Sequence, residues 1–345
     1  MIRSFRSPQK YVQGPGVFAT QLQEVKKLGN EGLLVTDDFV WQLVGNKIAQ
    51  DLEQLGMKVH VLLVAELDLA KWTKSSGLEV IIGLGGGRVM DVAKTLANKM
   101  QARCAILPTS AATDAPTSSI SVIYDEQGYF VGYDHYQFNP DLVLVDSQVI
   151  FDAPGKFLVQ GIADGLCTYI EASTVAKWEK EDSKPTIAAL TLAKACCDTL
   201  FKQGKQALQD QQTGLLSQAF EDVIEANILL SGLGFENGGL SIAHAFHNAL
   251  LGDPSLQVTA SHGEIVGIGL LLQLVLERQT DRSSYQDFML DLGLPEKLSQ
   301  LGVFLTKSQK ERLAEEILAA KHKGNPFDPK ITKDELMEAL TGIME

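Results

Sequence analysis

The run Glu79-Val-Ile-Ile-Gly-Leu-Gly85-Gly86-Gly87-Arg88-Val-Met-Asp91-Val-Ala-Lys94 constrains the fold more than any other segment. A continuously apolar strand passes directly into three glycines and then into an amphipathic helix. Strands that apolar are covered on both faces, as they are in parallel sheets. The turn itself has two readings. It is a tight turn and nothing more, or a loop whose backbone approaches a phosphate while the helix N-terminus supplies N–H groups. The G-x-G-x-x-G fingerprint is not met, because Arg88 stands where a glycine is needed.

Similar runs flank it. Gly32–Thr36, Lys58–Val64, Cys104–Leu107 and Asp141–Val145 read as strands, with helical patterns at Phe39–Leu55 and Val89–Met100 between them. This alternation predicts a doubly wound, mostly parallel, Rossmann-like α/β domain. Ser119–Tyr124 and Tyr129–Tyr133, around the polar loop Asp125–Gly128, read as a hairpin projecting from that sheet. After Asp152 the strand signal stops, and helical periodicity marks Ala153–Lys180, Pro185–Gln206, Thr213–Leu233, Leu240–Leu251, Glu264–Arg278, Ser308–Lys321 and Thr332–Met344. A chain of 345 residues exceeds the usual limit of one core, so two domains are expected: α/β over 1–153 and all-α over 154–345. A cleft between two such domains is the expected place for a ligand.

Charge narrows the partners. The formal net charge of −13 argues against nucleic acid and anionic membrane surfaces, both of which need a clustered positive field. No run reaches the length of a membrane span, and the first residues lack the apolar core of a signal peptide. Cys104, Cys167, Cys196 and Cys197 show no C-x-x-C spacing and read as reduced core thiols of a cytoplasmic protein.

Several residues carry candidate chemistry. Asp37 and Asp38 follow the first strand of this series, where a carboxylate either caps a helix or accepts from ribose hydroxyls. Asp114 lies in Pro108-Thr109-Ser-Ala-Ala112-Thr-Asp114-Ala-Pro116, a segment rich in small hydroxyl residues. It is either a turn former or a ligand contact. Three of the six histidines, His244, His247 and His262, fall within nineteen positions. Two imidazoles with a carboxylate from elsewhere would make an open catalytic metal site, and Asp164, on an otherwise apolar helical face, is the carboxylate candidate. Glu171 shares roughly that face and is placed to support the ligands. The alternative is a hydrogen-bonded structural cluster.

Taken in order, Gly85-Gly-Gly-x-x-x-Asp91-x-x-Lys94, Pro108-Thr-x-x-x-Thr-Asp114-Ala-Pro, Gly161-x-x-Asp164, Gly238-Gly-Leu-x-x-Ala-His244-Ala-x-His247-Asn and His262-Gly resemble the glycerol dehydrogenases of the iron-containing alcohol dehydrogenase superfamily. Lys10-Tyr-Val-Gln-Gly14 resembles that family's opening strand. The resemblance implies a dehydroquinate synthase-like architecture, with an NAD-binding first domain and a zinc ion held by Asp164, His244 and His262 in the second. His247 is then a neighbour that does not ligate, and Asp114 contacts the substrate hydroxyl. Gly85, Gly86 and Gly87 take the NAD pyrophosphate and Asp37 the adenosine ribose. Thr109, Ser118, Asp91 and Tyr124 complete the cofactor contacts. Ala112 and Arg88 depart from the family pattern, where a serine and a lysine are usual.

The activity implied by the resemblance is metal-assisted hydride transfer from a small neutral diol, such as glycerol or 1,2-propanediol, to NAD in a homo-oligomeric enzyme. The rivals act on anions: a dehydrogenase of glycerol phosphate or a hydroxycarboxylate, or a lyase of the dehydroquinate synthase type. A catalytically inactive nucleotide-binding protein is a third, disfavoured by the intact ligand residues. Anionic substrates call for Lys or Arg, yet residues 104–155 and 231–269 contain neither.

Overall fold

The apolar runs of the first half form β1 (Lys10–Gly14), β2 (Glu31–Thr36), β3 (Lys58–Leu63), β4 (Val80–Gly85), β5 (Arg103–Pro108) and, after the hairpin strands β6 (Ile120–Tyr124) and β7 (Phe130–His135), β8 (Leu142–Asp146). The computed structural model describes residues 2–67, 72, 77–124, 130–180 and 183–343. The predicted hairpin loop Asp125–Gly128 and Tyr129, expected to open its second strand, lie outside them. Six strands make one sheet in the order β1-β8-β5-β4-β2-β3, every pairing parallel, while β6 and β7 form a separate two-stranded sheet. All residues of β4 and β8 are buried, which accounts for their continuous apolar sequence.

The strand order sets a boundary that periodicity alone does not reveal. The chain leaves β2 for the β3 edge, whereas it leaves β4 for β5 on the other side. The crevice between β2 and β4 is therefore a topological switch point, where open α/β sheets bind ligands at the carboxyl ends of their strands. Val35 of β2 sits beside Gly83 of β4, and Gly85 beside Pro108 of β5. With strands about 4.8 Å apart, the turns that follow β2, β4 and β5 are neighbours.

The helix expected at Phe39–Leu55 is interrupted: a short turn Asp38–Val40 leads through a π-helical turn, Trp41–Gly45, into α1 (Asn46–Gln54). The glycine turn opens α2 (Gly87–Met100). The second half contains α3 (Gly155–Trp178), α4 (Ile187–Thr213), α5 (Gln218–Glu225), α6 (Ser231–Gly238), α7 (Ile242–Gly252), α8 (His262–Leu276), a helix Arg282–Asp291 that periodicity does not mark, α9 (Lys307–Ala320) and α10 (Lys333–Gly342). No strand follows β8 among the described residues. The chain divides into two compact units, one of Arg6–Ile123 with Tyr133–Phe157 and one built on Leu158–Glu345. The sheet unit is closed by Leu34, Ile82, Leu84 and Leu107, with Leu52 packed from α1. The helical unit has its core where α7, α8, α9 and α10 meet around Phe246, Leu272, Phe327 and Leu336.

Among the described residues no helix is long and apolar enough to cross a membrane. All four cysteines are buried and none is in a disulfide. Burial pushes Cys104 up to about 12 and Cys197 up to about 11, so neither offers a thiolate near neutral pH.

Candidate metal centre and nucleotide-binding edge

Asp164 on α3, His244 on α7 and His262 at the first position of α8 converge within the helical unit. Nε2 of His262 is 3.2 Å from Oδ1 of Asp164, and Nε2 of His244 is 3.7 Å from the same oxygen. One donor atom from each lies within 4.8 Å of the others, and among the described residues no other three such groups do so. Two ligands each about 2.1 Å from a tetrahedral ion stand roughly 3.4 Å apart. The spacing fits a first-row divalent cation, and a carboxylate with two imidazoles is a donor set that zinc and iron both accept.

Glu171 explains how His244 is aimed. It lies two helical turns beyond Asp164 on α3, fully buried. One of its oxygens accepts the Ser241 and His244 N–H groups at 2.8 and 3.0 Å, and the other is 2.6 Å from Nδ1 of His244. The start of α7 has no side-chain cap of its own, since Ser241 makes no such bond. Glu171 replaces it from another helix, with its negative charge at the positive end of the helix dipole. The same carboxylate keeps the His244 proton on Nδ1, leaving the Nε2 lone pair directed at the cluster.

His262 is held from its other side. Its Nδ1 is 2.9 Å from Nε2 of His247, whose Nδ1 is 3.0 Å from Oδ1 of Asn248. Burial, reinforced by the neighbouring His262, holds His247 well below the usual histidine pKa. A neutral His247 has one N–H, which the Asn248 oxygen takes. Its Nε2 then accepts from Nδ1 of His262, and the Nε2 lone pair of His262 faces Asp164.

Two local features place His262. Ser261 and Glu264 form a capping box, with the Glu264 carboxylate accepting the Ser261 N–H at 2.8 Å. Ser-x-x-Glu is a helix-start signal present in the sequence, and it puts His262 inside the helix rather than ahead of it. Gly263 then lets α8 close on α3: a Cβ there would stand 2.1 Å from the carbonyl oxygen of Gln160.

In the sheet unit, Asp37, the glycine turn and Thr109 directly follow β2, β4 and β5 at the carboxyl edge. A Cβ on Gly86 would meet nothing within 4 Å, and one on Gly87 only a Thr113 methyl at 3.8 Å. Open space therefore faces the start of α2, whose amides no side chain caps. Asp37 caps the turn Asp38–Val40, accepting the Val40 N–H at 2.9 Å through one oxygen. The N–H of Thr109 bonds the Gly85 carbonyl at 3.2 Å. Burial pushes the Asp91 carboxyl above its ordinary range, against the pull of Lys94. Its buried Oδ1 accepts no hydrogen bond and has only the longer ionic contact to Lys94, at 3.5 Å. Asp114 is buried and precedes the helical turn Ala115–Thr117 without capping it. Ser118 donates to the carbonyls of Ala115 and Ile120 at 3.3 and 3.5 Å, so only its lone pairs remain for a ligand. Tyr124 ends β6, and its side chain lies outside the described residues. Arg88 is exposed.

A cavity of about 710 Å³ lies toward the opposite ends of the strands, lined by Glu79, Arg103, Tyr136 and Asp141 among others. Its guanidinium, Arg103, is already paired with Asp141 at 2.7 Å.

The sequence matches the iron-containing alcohol dehydrogenase family over residues 8–147. Glycerol dehydrogenase 1 of Schizosaccharomyces pombe is 41% identical over 87% of this chain and 70% of its own length. Glycolaldehyde reductase of Halobacterium salinarum is 39% identical over 88% of this chain and 86% of its own. The crystal structure of glycerol dehydrogenase from Schizosaccharomyces pombe superposes with a TM-score of 0.91 at 37% identity, covering 99% of this chain and 90% of that one.

Proposed function

The chain belongs to the iron-containing alcohol dehydrogenase family, and on that premise we propose that it oxidises a neutral vicinal diol, such as glycerol or 1,2-propanediol, with NAD as hydride acceptor and zinc at Asp164, His244 and His262. The observation that carries the proposal is the convergence of one buried carboxylate with two imidazoles whose outer nitrogens are already engaged. A divalent ion held there supplies a Lewis acid that eases loss of the substrate hydroxyl proton near neutral pH, and NAD supplies the hydride acceptor.

The chain's own groups do the positioning. Glu171 and His247 fix the ligand tautomers, so that both imidazoles present lone pairs without rearrangement. The glycine turn receives the pyrophosphate, and Asp91 stands one turn into the helix that follows it. Thr109 and Ser118 line the same edge. Asp37, with one oxygen capping its helix, keeps the other for ribose hydroxyls and repels a 2′-phosphate. Asp114 accepts from a substrate hydroxyl. Relatives named glycerol dehydrogenase and glycolaldehyde reductase support a small hydroxylated substrate, in either redox direction. Four buried cysteines without a disulfide support a reducing, cytoplasmic setting.

Steady-state NADH formation from glycerol, before and after chelation, tests the assignment. Chelation should abolish turnover with the far-ultraviolet circular dichroism unchanged, and zinc should restore it. Full activity in metal-free protein would remove the metal from the mechanism. Like-charge juxtaposition costs several kcal/mol, so NAD should outperform NADP by at least about ten-fold. A preference for NADP would reduce Asp37 to a helix cap.

A further inference from the structure

Lys94 belongs to the motif that carries the glycine turn, but its position argues against the obvious task of binding phosphate. It lies seven residues into α2, about 10 Å along the axis from the helix start at 1.5 Å per residue. A lysine that binds a phosphate at a helix N-terminus must reach the first turn. Lys94 is instead 3% exposed, and its Nζ donates to the carbonyl oxygens of Ala115, at 3.1 Å, and Ile120. The third partner is Oδ1 of Asp91, at 3.5 Å. Two of the three ammonium N–H donors go to these carbonyls, and the charge is paired with Asp91.

The two carbonyls bracket a particular stretch. Between them lie the turn Ala115–Thr117 and Ser118, and immediately before them stands Asp114. The Ser118 hydroxyl donates to the same two carbonyls. Asn139 adds a bond to the Thr117 carbonyl at 2.9 Å, and the Tyr136 N–H one to Ser119 at 2.8 Å. Tyr136 and Ser121, beside the loop, also bond α2 at Thr95 and the Asp91 carbonyl, whereas Lys94 donates from α2 into the loop itself. We propose that Lys94 is a positioning residue: its ammonium clamps the 109–120 loop to the helix that starts at the glycine turn, and so holds Asp114 where it meets a substrate hydroxyl. The role of Asp114 rests on the proposed diol oxidation, whereas the clamp itself does not.

The clamp also bears on substrate charge. Lys94 is a cation that reaches into a segment with no Lys or Arg of its own, and its charge is engaged by Asp91 and two backbone dipoles. It is not available to an anionic substrate.

Three measurements on Lys94→Met, an isostere without donors, test this in the metal-loaded enzyme. Amide hydrogen exchange in 109–120 should quicken by about ten- to hundred-fold, the range for losing bonds to a charged donor, with α8 unchanged. The affinity for ADP-ribose, which occupies the glycine turn but lacks nicotinamide, should stay within about two-fold. The kcat/KM ratio of 1,2-propanediol over 2-propanol should fall, and adding Asp114→Asn should then cost much less than it does in the wild type. Lys94→Gln, which keeps two amide donors, should fall between wild type and Met and serves if Met does not fold. Unchanged exchange in 109–120, an ADP-ribose affinity weakened more than ten-fold, or additive effects of the two substitutions would each overturn the proposal. A wild type without diol preference would instead count against the proposed substrate, while the exchange measurement still decides the clamp.

Discussion

His262→Ala should leave a folded protein that no longer retains a stoichiometric metal ion and has lost about three orders of magnitude or more in kcat/KM. The size of the loss reflects the Lewis-acid contribution, several kcal/mol, at about 1.4 kcal/mol per factor of ten. His262 supplies one of three donors in the cluster, and with two remaining the site has no closed set of protein ligands. His247→Ala is the informative partner. His247 contacts His262 and not Asp164, so its loss removes an orienting acceptor rather than a ligand. It should still bind one equivalent of zinc, with affinity weakened roughly 10–100-fold. Metal analysis after dialysis, with chelator competition for the affinities, separates the two. Equal metal affinity in His262→Ala and wild type would show that the cluster is hydrogen-bonded structure.

The second large effect is expected from a residue that touches no ligand. Gly263→Ala would place a methyl group 2.1 Å from the Gln160 carbonyl oxygen, well inside contact distance. That oxygen is part of the α3 backbone, so no side-chain rotation relieves the clash. The start of α8 must move away from α3, and His262 moves with it. Overpacking of this kind costs about 1–3 kcal/mol in stability. The larger consequence is local, because the 3.2 Å approach of His262 to Asp164 is what the close helix contact provides. Gly263→Ala should therefore resemble His262→Ala in metal affinity while keeping its helical circular dichroism. Wild-type metal affinity in this variant would mean that the site tolerates separation of the two helices, contrary to the geometry.

Comparison of sequence with structure follows the same division between local and distant causes. The parallel strands are readable because burial on both faces forces continuous apolar runs, and their ends shift by only a residue or two, as at β4. The π turn at Trp41–Gly45 is not readable, since its residues fit an ordinary amphipathic helix. The helix Arg282–Asp291 escapes because its polar start, Arg-Ser-Ser, lacks an apolar stripe. At the metal cluster, spacing brings His244 and His247 to one face, and burial cost singles out Asp164. The partnership of Glu171 with the α7 amides cannot be read, because the cap comes from another helix seventy positions away. Lys94 belongs to a recognisable motif but shows no role there, since its partners, Ala115 and Ile120, are backbone carbonyls and leave no signature in residue type.

The switch-point edge illustrates the remaining gap. Sequence leaves Asp37 between helix cap and ribose ligand, and the structure shows that the cap needs only one carboxylate oxygen. Ser118 shows the reverse: a hydroxyl in a ligand-type segment whose proton is directed into its own loop. Residue type indicates what a side chain can do, and only the fold indicates which of its atoms are already engaged.

Substrate charge separates the proposed activity from its rivals most directly. Initial rates of NADH formation should be compared for glycerol, 1,2-propanediol, 2-propanol, glycerol phosphate, glycerate and lactate at equal concentration in the zinc-loaded enzyme. A 1,2-diol offers two oxygens to a metal with more than one open position and a hydroxyl to Asp114, whereas an anion finds no Lys or Arg in 104–155 or 231–269. Both neutral diols should exceed 2-propanol and every anion by at least about ten-fold in kcat/KM. If glycerol phosphate or a 2-hydroxy acid turns over faster than either diol, the assignment of a neutral substrate is contradicted.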